Sequence, residues 1–144
     1  IKVLEFNCRF GDPETQPIML RLESSLTNLC LDAINKKLHA HQIEWSSMHS
    51  CGVVLASAGY PEDYETDFEI DIKNHFSENE KLFHAGTKFV DNKILTSGGR
   101  VLCMTALGET LEIAIDNAYN AIPKINFEGM FFRSDIGKKG LKND

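Results

Sequence analysis

The chain has 144 residues, 42% of them hydrophobic and 25% charged, which is the size and composition of one globular domain with a substantial core. These values exclude a disordered or collagen-like chain, and no segment approaches the ~18 consecutive apolar residues of a membrane span. The 15 Lys and Arg residues against 21 Asp and Glu residues give a net charge of -6, which repels nucleic acid and anionic lipid. We therefore expect no nucleic-acid or membrane partner, and any bound phosphate must be held by local groups.

The first third of the chain is predicted to contain one strand and two helices. Residues 3–7 alternate on a period of two, which is typical of a strand. Residues 17–22 favour a short helix, and Ser24 or Ser25 can cap a longer helix that runs to about Lys37. The polar segment that follows predicts a loop held in place by a buried Trp45.

The remainder of the chain predicts strands joined by turns too short for a helical crossover, with one further helix. Thr110 is expected to cap that helix and Pro123 to close it. This order predicts an α+β fold with a mostly antiparallel sheet and two main helices. The predicted strands are residues 51–58, buried on both faces, then 68–72, 82–90, 94–96, 101–107 and 125–132, with a hairpin turn at 91–93.

The four cysteines lie far apart and lack the paired C-x-x-C spacing of a zinc site. We expect buried, reduced thiols, which together with the absence of a signal-peptide pattern indicates a cytoplasmic, reducing location. The chain starts at Ile1 in what reads as a strand already under way, so we interpret it as a piece of a longer protein. The cysteines are Cys8, Cys30, Cys51 and Cys103.

Two short segments carry groups suited to metal or phosphate chemistry. The period of two places Glu5, Asn7 and Arg9 on one strand face, where a carboxylate and an amide oxygen are ligands that Mg²⁺ accepts. From spacing alone, a half-exposed polar strand face is the commoner explanation. The segment 98–100, Gly-Gly-Arg, offers backbone N–H groups and a guanidinium to an anion, although a tight turn explains two glycines equally simply.

The histidines are better explained without chemistry. His39 and His41 have the spacing of paired metal ligands, but no carboxylate or thiol cluster accompanies them, which favours a solvated loop. For His84, a structural role is at least as good an explanation as a catalytic role.

Several motifs together resemble the glycinamide ribonucleotide synthetases, also called phosphoribosylamine-glycine ligases, of the ATP-grasp superfamily. The resemblance is carried first by residues 5–16, Glu-Phe-Asn-Cys-Arg-Phe-Gly-Asp-Pro-Glu-Thr-Gln, which is a highly specific match. It continues in the family's order through residues 59–61, 83–87, 98–102, 105–108 and 132–137, and covers nearly the whole chain. That length corresponds to the last third of the family's enzyme. The resemblance implies that residues 1–23 are the last strand and loop of an ATP-grasp core and 24–144 the C-terminal domain.

The resemblance also implies a reaction and a set of site residues. The reaction couples glycine to 5-phosphoribosylamine through glycyl phosphate, in purine biosynthesis, with ATP as co-substrate. The implied metal ligands are Glu5 and Asn7, which would bind Mg²⁺ or Mn²⁺. Arg9 would face acyl phosphate oxygens and Asp12 would accept hydrogen bonds from the ribosylamine amine, which makes both candidate catalytic residues. The implied holders of the sugar phosphate are Lys88, Gly98, Gly99 and Arg100.

Two other interpretations stay open at this point. The chain can be a structural or interaction module without catalysis, or part of an ATP-grasp ligase with a different acceptor. The segment Arg-Phe-Gly-Asp-Pro-Glu argues against the different acceptor. Under the main interpretation the chain needs the rest of the ATP-grasp enzyme as its partner, and we expect it to be inactive alone.

Overall fold

The computed structural model describes residue 3 and residues 6–40, 42–73 and 75–142. Within these residues the chain forms three α-helices and seven strands, with single turns of 3₁₀-helix at Leu38–Ala40, Ile122–Lys124 and Gly140–Lys142. In chain order the elements are α1 (Thr15–Arg21), α2 (Leu26–Ile34), β1 (His49–Ala56), β2 (Asp71–Ile72), β3 (Glu80–His84), β4 (Thr87–Val90), β5 (Lys93–Thr96), β6 (Arg100–Gly108), α3 (Leu111–Ala121) and β7 (Ile125–Asn126).

The main sheet has the strand order β1-β6-β3, with both pairs antiparallel. Met104 at the centre of β6 pairs with Val53 on one side and with Leu82 on the other. Strand β6 is buried from Val101 to Ala106, which explains why Thr105 is the one polar residue in this stretch. The predicted α+β class and antiparallel arrangement are confirmed.

The two faces of β1 have different coverings. Cys51, Val53 and Leu55 point into the core that α3 covers, since alternate residues of a strand face opposite sides. Gly52 and Val54, on the other face, are only half-buried. The prediction that this strand is buried on both faces is therefore wrong, because the second face borders a cavity as well as α1.

Helix α3 packs on the core side of the sheet. Thr110 caps it as predicted, its hydroxyl oxygen accepting a hydrogen bond from the backbone N–H of Ile113 at 3.2 Å. Gly108, at the end of β6, lies so close to the helix that a Cβ would stand 2.3 Å from the Ala114 nitrogen. The missing side chain therefore allows β6 and α3 to pack closely. The helix buries Ala114, Ile115, Ala118 and Ala121, and Ile122, directly after it, is also buried.

The smaller strand pairs confirm the predicted hairpin turn, but three of the predicted strands are interrupted or shorter than expected. Asp91 and Asn92 have positive φ angles of 49° and 61°, as a two-residue turn between β4 and β5 requires. The predicted strand 82–90 is interrupted at residues 85–86, where the Gly86 N–H donates to the Arg100 carbonyl oxygen at 2.9 Å. The predicted strands 68–72 and 125–132 shrink to the two-residue pair β2 and β7.

Helices α1 and α2 are present where they were predicted, but α2 differs in length and burial. The Ser25 hydroxyl accepts from the Asn28 N–H, which confirms the cap. The helix ends at Ile34 rather than near Lys37, because Lys36 adopts a positive φ of 57°. No residue of α2 is buried, although its apolar spacing is helical. Among the described residues, no helix has the length and apolar character needed to cross a membrane.

Trp45 does not anchor its loop from the core. The residue is 47% exposed, so the predicted burial is wrong. It forms an isolated antiparallel bridge with Leu22 and lies beside α1 at Pro17 and Ile18. Backbone pairing therefore holds this loop instead of burial of the indole.

The cysteine prediction is half right. Cys51 and Cys103 are buried and reduced, and burial, assisted by the neighbouring Cys103, raises the pKa of the Cys51 thiol to about 11. Cys8 and Cys30 are reduced but exposed, because neither lies on an element that packs into the core.

Leu4 and Glu5 of the predicted strand 3–7 lie outside the described residues, and Val3, Phe6 and Asn7 are not assigned to a strand.

One ion pair ties the main sheet to the turn after α3. Lys124 Nζ donates to Glu80 Oε2 at 2.7 Å, and the Ser77 N–H donates to the same oxygen at 2.8 Å. Burial opposes ionisation of Glu80, but these two hydrogen bonds outweigh it and hold the pKa of this carboxyl below its ordinary value. A lowered pKa in the folded state means that Glu80 stabilises the fold at neutral pH and loses this contribution as pH falls.

We predict that Glu80→Gln lowers the free energy of unfolding at pH 7 by about 1 to 2 kcal/mol, because the charge-assisted bond to Lys124 is lost. The difference from the parent chain should shrink as pH falls below about 4.3, the ordinary value of a glutamate pKa. Urea denaturation at pH 7 and pH 3.5 measures both. Glu69→Gln is the matched control, since the Glu69–Lys93 pair is 56% exposed on both sides and should contribute under about 0.5 kcal/mol. Equal losses in the two variants would contradict the prediction.

Candidate functional site

A cavity of about 410 Å³ opens on the half-buried face of β1. Its floor is the strand itself, and its walls are the turn after β1 and the segment 131–136. We call it the arginine cavity, because two guanidinium groups line it. The lining residues are Pro13, Gly52, Val54, Ala56, Tyr60, Pro61, Arg100, Phe131, Phe132, Arg133 and Ile136.

A neighbouring cavity of about 460 Å³ has the opposite chemistry. Asp63, Glu65 and Glu128 line it, and the described residues around it include no basic side chain. Three carboxylates repel an anionic ligand. The arginine cavity is therefore the better candidate for a phosphate-bearing substrate.

Backbone pairing fixes the wall formed by segment 131–136. The Ala56 N–H donates to the Phe131 carbonyl oxygen at 2.9 Å, and the Phe131 N–H donates back at 3.0 Å. Ala56 also pairs with Arg100, the first residue of β6. The end of β1 thus brings the segment 131–136 and the start of β6 to the same place.

The structure brings together two of the residues that the sequence singled out. Arg100 Nη2 lies 3.1 Å from Asp12 Oδ2, and Gln16 Nε2 donates to Asp12 Oδ1 at 3.3 Å. Both charged side chains remain open to solvent at about two fifths of their surface, 40% for Arg100 and 42% for Asp12. Asp12 precedes Pro13, which lines the cavity beside Arg100. A carboxylate and a guanidinium therefore stand together at its rim.

The carbonyl oxygens of the two glycines before Arg100 both accept hydrogen bonds from Ser57. Ser57 Oγ donates to the Gly98 carbonyl oxygen at 3.0 Å, and the Ser57 N–H donates to that of Gly99 at 2.8 Å. A Cβ at Gly99 would stand 2.2 Å from the Tyr60 ring, so this position needs glycine for close packing. Neither glycine is among the residues that line the arginine cavity, and their part in anion binding stays a prediction.

The remaining predicted residues lie apart from this cluster. Lys88 on β4 forms an ion pair with Asp67, and hydrogen bonds from Lys88 and from Thr66 hold the pKa of that carboxyl below its ordinary value. Arg9 Nη1 donates to the neighbouring Phe10 carbonyl oxygen at 2.9 Å and is exposed. Lys88 and Arg9 are not among the residues that line the arginine cavity.

The implied metal site can be judged by its donor chemistry. Asn7 is exposed, and Glu5 lies outside the described residues. A carboxylate and an amide oxygen suit Mg²⁺ or Mn²⁺, which keep further positions for water and phosphate oxygens. The residue types fit a divalent ion. Within residue 3 and residues 6–40, 42–73 and 75–142, no group of three or more His, Cys, Asp or Glu side chains forms a metal cluster.

Sequence reasoning missed Arg133 as a site residue. It lines the arginine cavity, and its Nε and Nη2 donate to the two carboxylate oxygens of Asp135 at 2.9 and 2.8 Å. These bonds raise the pKa of Arg133 and lower that of Asp135. The available signal was the Arg-Ser-Asp spacing within the family-like motif 132–137, which puts a carboxylate within reach of the guanidinium.

Comparisons with known proteins agree on one family. A family model described as Phosphoribosylglycinamide synthetase, C domain, matches residues 50–139. Proteins named phosphoribosylamine-glycine ligase from Vibrio vulnificus (strain CMCP6) and Salmonella typhimurium are 49% and 50% identical over 144 and 145 residues. Each match covers 99% of this chain and 34% of the relative. The chain thus spans about a third of the length of the curated relatives it matches.

A solved structure shows the same fold. The crystal structure of phosphoribosylamine-glycine ligase from Thermotoga maritima is 34% identical to this chain and superposes with a TM-score of 0.72. The match covers 92% of this chain and 32% of that one. The family model, the relatives and the shared fold agree, so the chain belongs to the phosphoribosylglycinamide synthetase family and corresponds to its C-terminal part.

Proposed function

We propose that this chain is the C-terminal portion of an ATP-dependent ligase that joins glycine to 5-phosphoribosylamine in purine biosynthesis. The observation that carries the proposal is the pairing of Asp12 with Arg100 at the rim of the arginine cavity. One residue comes from the motif 5–16 and the other from the Gly-Gly-Arg segment. Two family-like motifs far apart in the chain therefore meet at one cavity.

The reaction divides into two transfers. The glycine carboxylate attacks the terminal phosphorus of ATP, which releases ADP and leaves glycyl phosphate. The amine of phosphoribosylamine then attacks the glycyl carbonyl carbon, loses a proton and displaces inorganic phosphate. No covalent bond to the protein forms, so the protein acts by positioning the reactants and by stabilising charge on the transferred phosphoryl group.

Arg100 and Asp12 would hold the ribosylamine in this reaction. A guanidinium has five N–H donors in a plane, so one edge of Arg100 can serve Asp12 while another serves the sugar 5-phosphate. Asp12 accepts from Gln16 and faces Arg100, which orients its carboxylate. An oriented carboxylate can accept hydrogen bonds from the substrate amine and place the nitrogen for attack. Arg9 would neutralise acyl phosphate oxygens. Lys88, Gly98 and Gly99 are the other candidates for contacts with the sugar 5-phosphate.

Glu5 and Asn7 would hold a divalent ion, Mg²⁺ or Mn²⁺, which neutralises charge on ATP phosphate oxygens when bound. We further propose that residues 1–23 belong to an ATP-grasp core that binds ATP, and residues 24–144 to the C-terminal domain. A cytoplasmic location suits the exposed, reduced thiols of Cys8 and Cys30, since a reducing compartment keeps thiols from pairing.

One prediction for the proposed function concerns Arg100 in a ligase of the relatives' length that carries this chain. Arg100→Ala should raise the KM for phosphoribosylamine about ten- to a hundredfold, because a charge-assisted bond to phosphate is lost. The KM values for ATP and glycine should remain unchanged. Arg100→Lys should recover only part of the loss, since lysine restores the charge without the fork. Steady-state kinetics with each substrate varied in turn measures this.

Lys93→Ala is the control for the loss of one positive charge, because Lys93 pairs with Glu69 on the exposed hairpin and does not line the arginine cavity. It should leave all three KM values unchanged. If Arg100→Ala instead lowers stability and affects the three substrates equally, Arg100 is a structural residue and the phosphate is bound elsewhere.

Another prediction concerns the metal ligands. Glu5→Gln in the same ligase should reduce turnover far more than thermal stability, and should raise the Mg²⁺ concentration needed for half-maximal activity. The physical reason is the lost negative charge, which weakens metal binding. A Mg²⁺ titration of activity, with thermal unfolding run in parallel, measures both effects. Unchanged turnover at limiting Mg²⁺ would show that Glu5 is not a ligand.

A further inference from the structure

The arginine cavity has a second guanidinium besides Arg100. Arg133 lines the same cavity and has a side chain that is 70% exposed, so its charge is accessible to a ligand that enters. Arg100 and Arg133 come from different elements, the start of β6 and the segment 131–136. An anion in a cavity of about 410 Å³ can therefore meet basic groups from two walls.

The guanidinium of Arg133 is oriented before any ligand binds. Its Nε and Nη2 donate to both oxygens of Asp135, so one edge of the planar group is fixed by a two-bond contact. The remaining donors, on Nη1 and the second hydrogen of Nη2, point along a different edge. Asp135 therefore sets the plane of the guanidinium and leaves an edge that suits a phosphate.

Tyr119 ties the backbone around Arg133 to the core helix α3. Its hydroxyl donates to the Arg133 carbonyl oxygen at 2.6 Å and accepts from the Ile136 N–H at 3.1 Å. Its ring lies 6.1 Å from the Phe132 ring, at an angle of 47°. Three contacts from one half-buried residue of α3 thus hold the segment that carries Arg133.

We propose that Arg133 is a second binding residue for the sugar phosphate in the arginine cavity, with Tyr119 as the residue that positions it. This inference rests on the proposed function, in which Arg100 binds the same phosphate. Each guanidinium has its own carboxylate, Asp12 for Arg100 and Asp135 for Arg133. Specificity then depends on two oriented forks rather than on an excess of positive charge, which suits a chain of net charge -6.

The test measures ribose 5-phosphate, which carries the sugar phosphate without the amine, in a ligase of the relatives' length that carries this chain. Its Kd is measured by calorimetry, and its inhibition constant against phosphoribosylamine by kinetics. Arg133→Ala should weaken ribose 5-phosphate about tenfold in both measurements, and Arg133→Lys should recover part of the loss. Lys138→Ala is the matched control, since it removes the same charge five residues further on, outside the cavity lining, and should change neither constant.

Tyr119→Phe separates positioning from folding, because it keeps the ring and removes only the hydroxyl. It should raise the KM for phosphoribosylamine about threefold to tenfold, with kcat and the KM values for ATP and glycine unchanged. A merely structural role would lower thermal stability without this selective change in KM. That outcome would overturn the positioning role of Tyr119.

The outcomes also distinguish this inference from the proposed function. If Arg100→Ala weakens ribose 5-phosphate and Arg133→Ala does not, the second binding residue is wrong and the proposed function stands. If the parent ligase neither binds ribose 5-phosphate nor forms product from glycine and phosphoribosylamine, both are wrong. A loss in Arg133→Ala that Lys138→Ala reproduces would indicate a general charge effect and overturn the role of Arg133.

Discussion

Strand β6 pairs with β1 along one edge and with β3 along the other, and it is buried from Val101 to Ala106. A strand that is paired on both edges and buried on both faces cannot shift its register without disrupting the close packing of its side chains. Arg100 is the first residue of this strand. Its backbone position is therefore set by the core, while its side chain stays 40% exposed at the cavity. The proposed chemistry depends on this combination of a fixed backbone and an accessible charge.

The arginine cavity forms because one face of β1 packs into the core and the other face is only half-buried. Alternate residues Cys51, Val53 and Leu55 complete the core, whereas Gly52 and Val54 form a shallow apolar floor. The charged residues that line the cavity are Arg100 and Arg133, and each guanidinium has a carboxylate partner. In an acidic chain, such paired and oriented donors can bind one phosphate without a field that attracts every anion.

Local sequence signals predicted much of the fold, for reasons the structure makes plain. Thr110 and Ser25 cap helices because a hydroxyl before an apolar stripe satisfies a backbone N–H, and Asp91-Asn92 forms the hairpin because both residues tolerate positive φ. The burial of Trp45 was mispredicted and the exposure of α2 was not foreseen, since apolar spacing indicates which face could be buried but not whether another layer covers it. Arg133 was missed because its place in the cavity depends on Ala56 and Tyr119, which lie close to its segment only after folding. The contact between Asp12 and Arg100 was not predicted either, because the two residues are far apart in the sequence and lie close only after folding.

We expect the arginine cavity to bind the phosphate of the sugar substrate. A crystal structure of the ligase with ribose 5-phosphate tests this expectation. Phosphate density should lie inside the cavity, with oxygens within about 3 Å of the Arg100 guanidinium nitrogens. Density for the phosphate at another place, such as beside Lys88 on β4, with the arginine cavity holding only solvent, would contradict it.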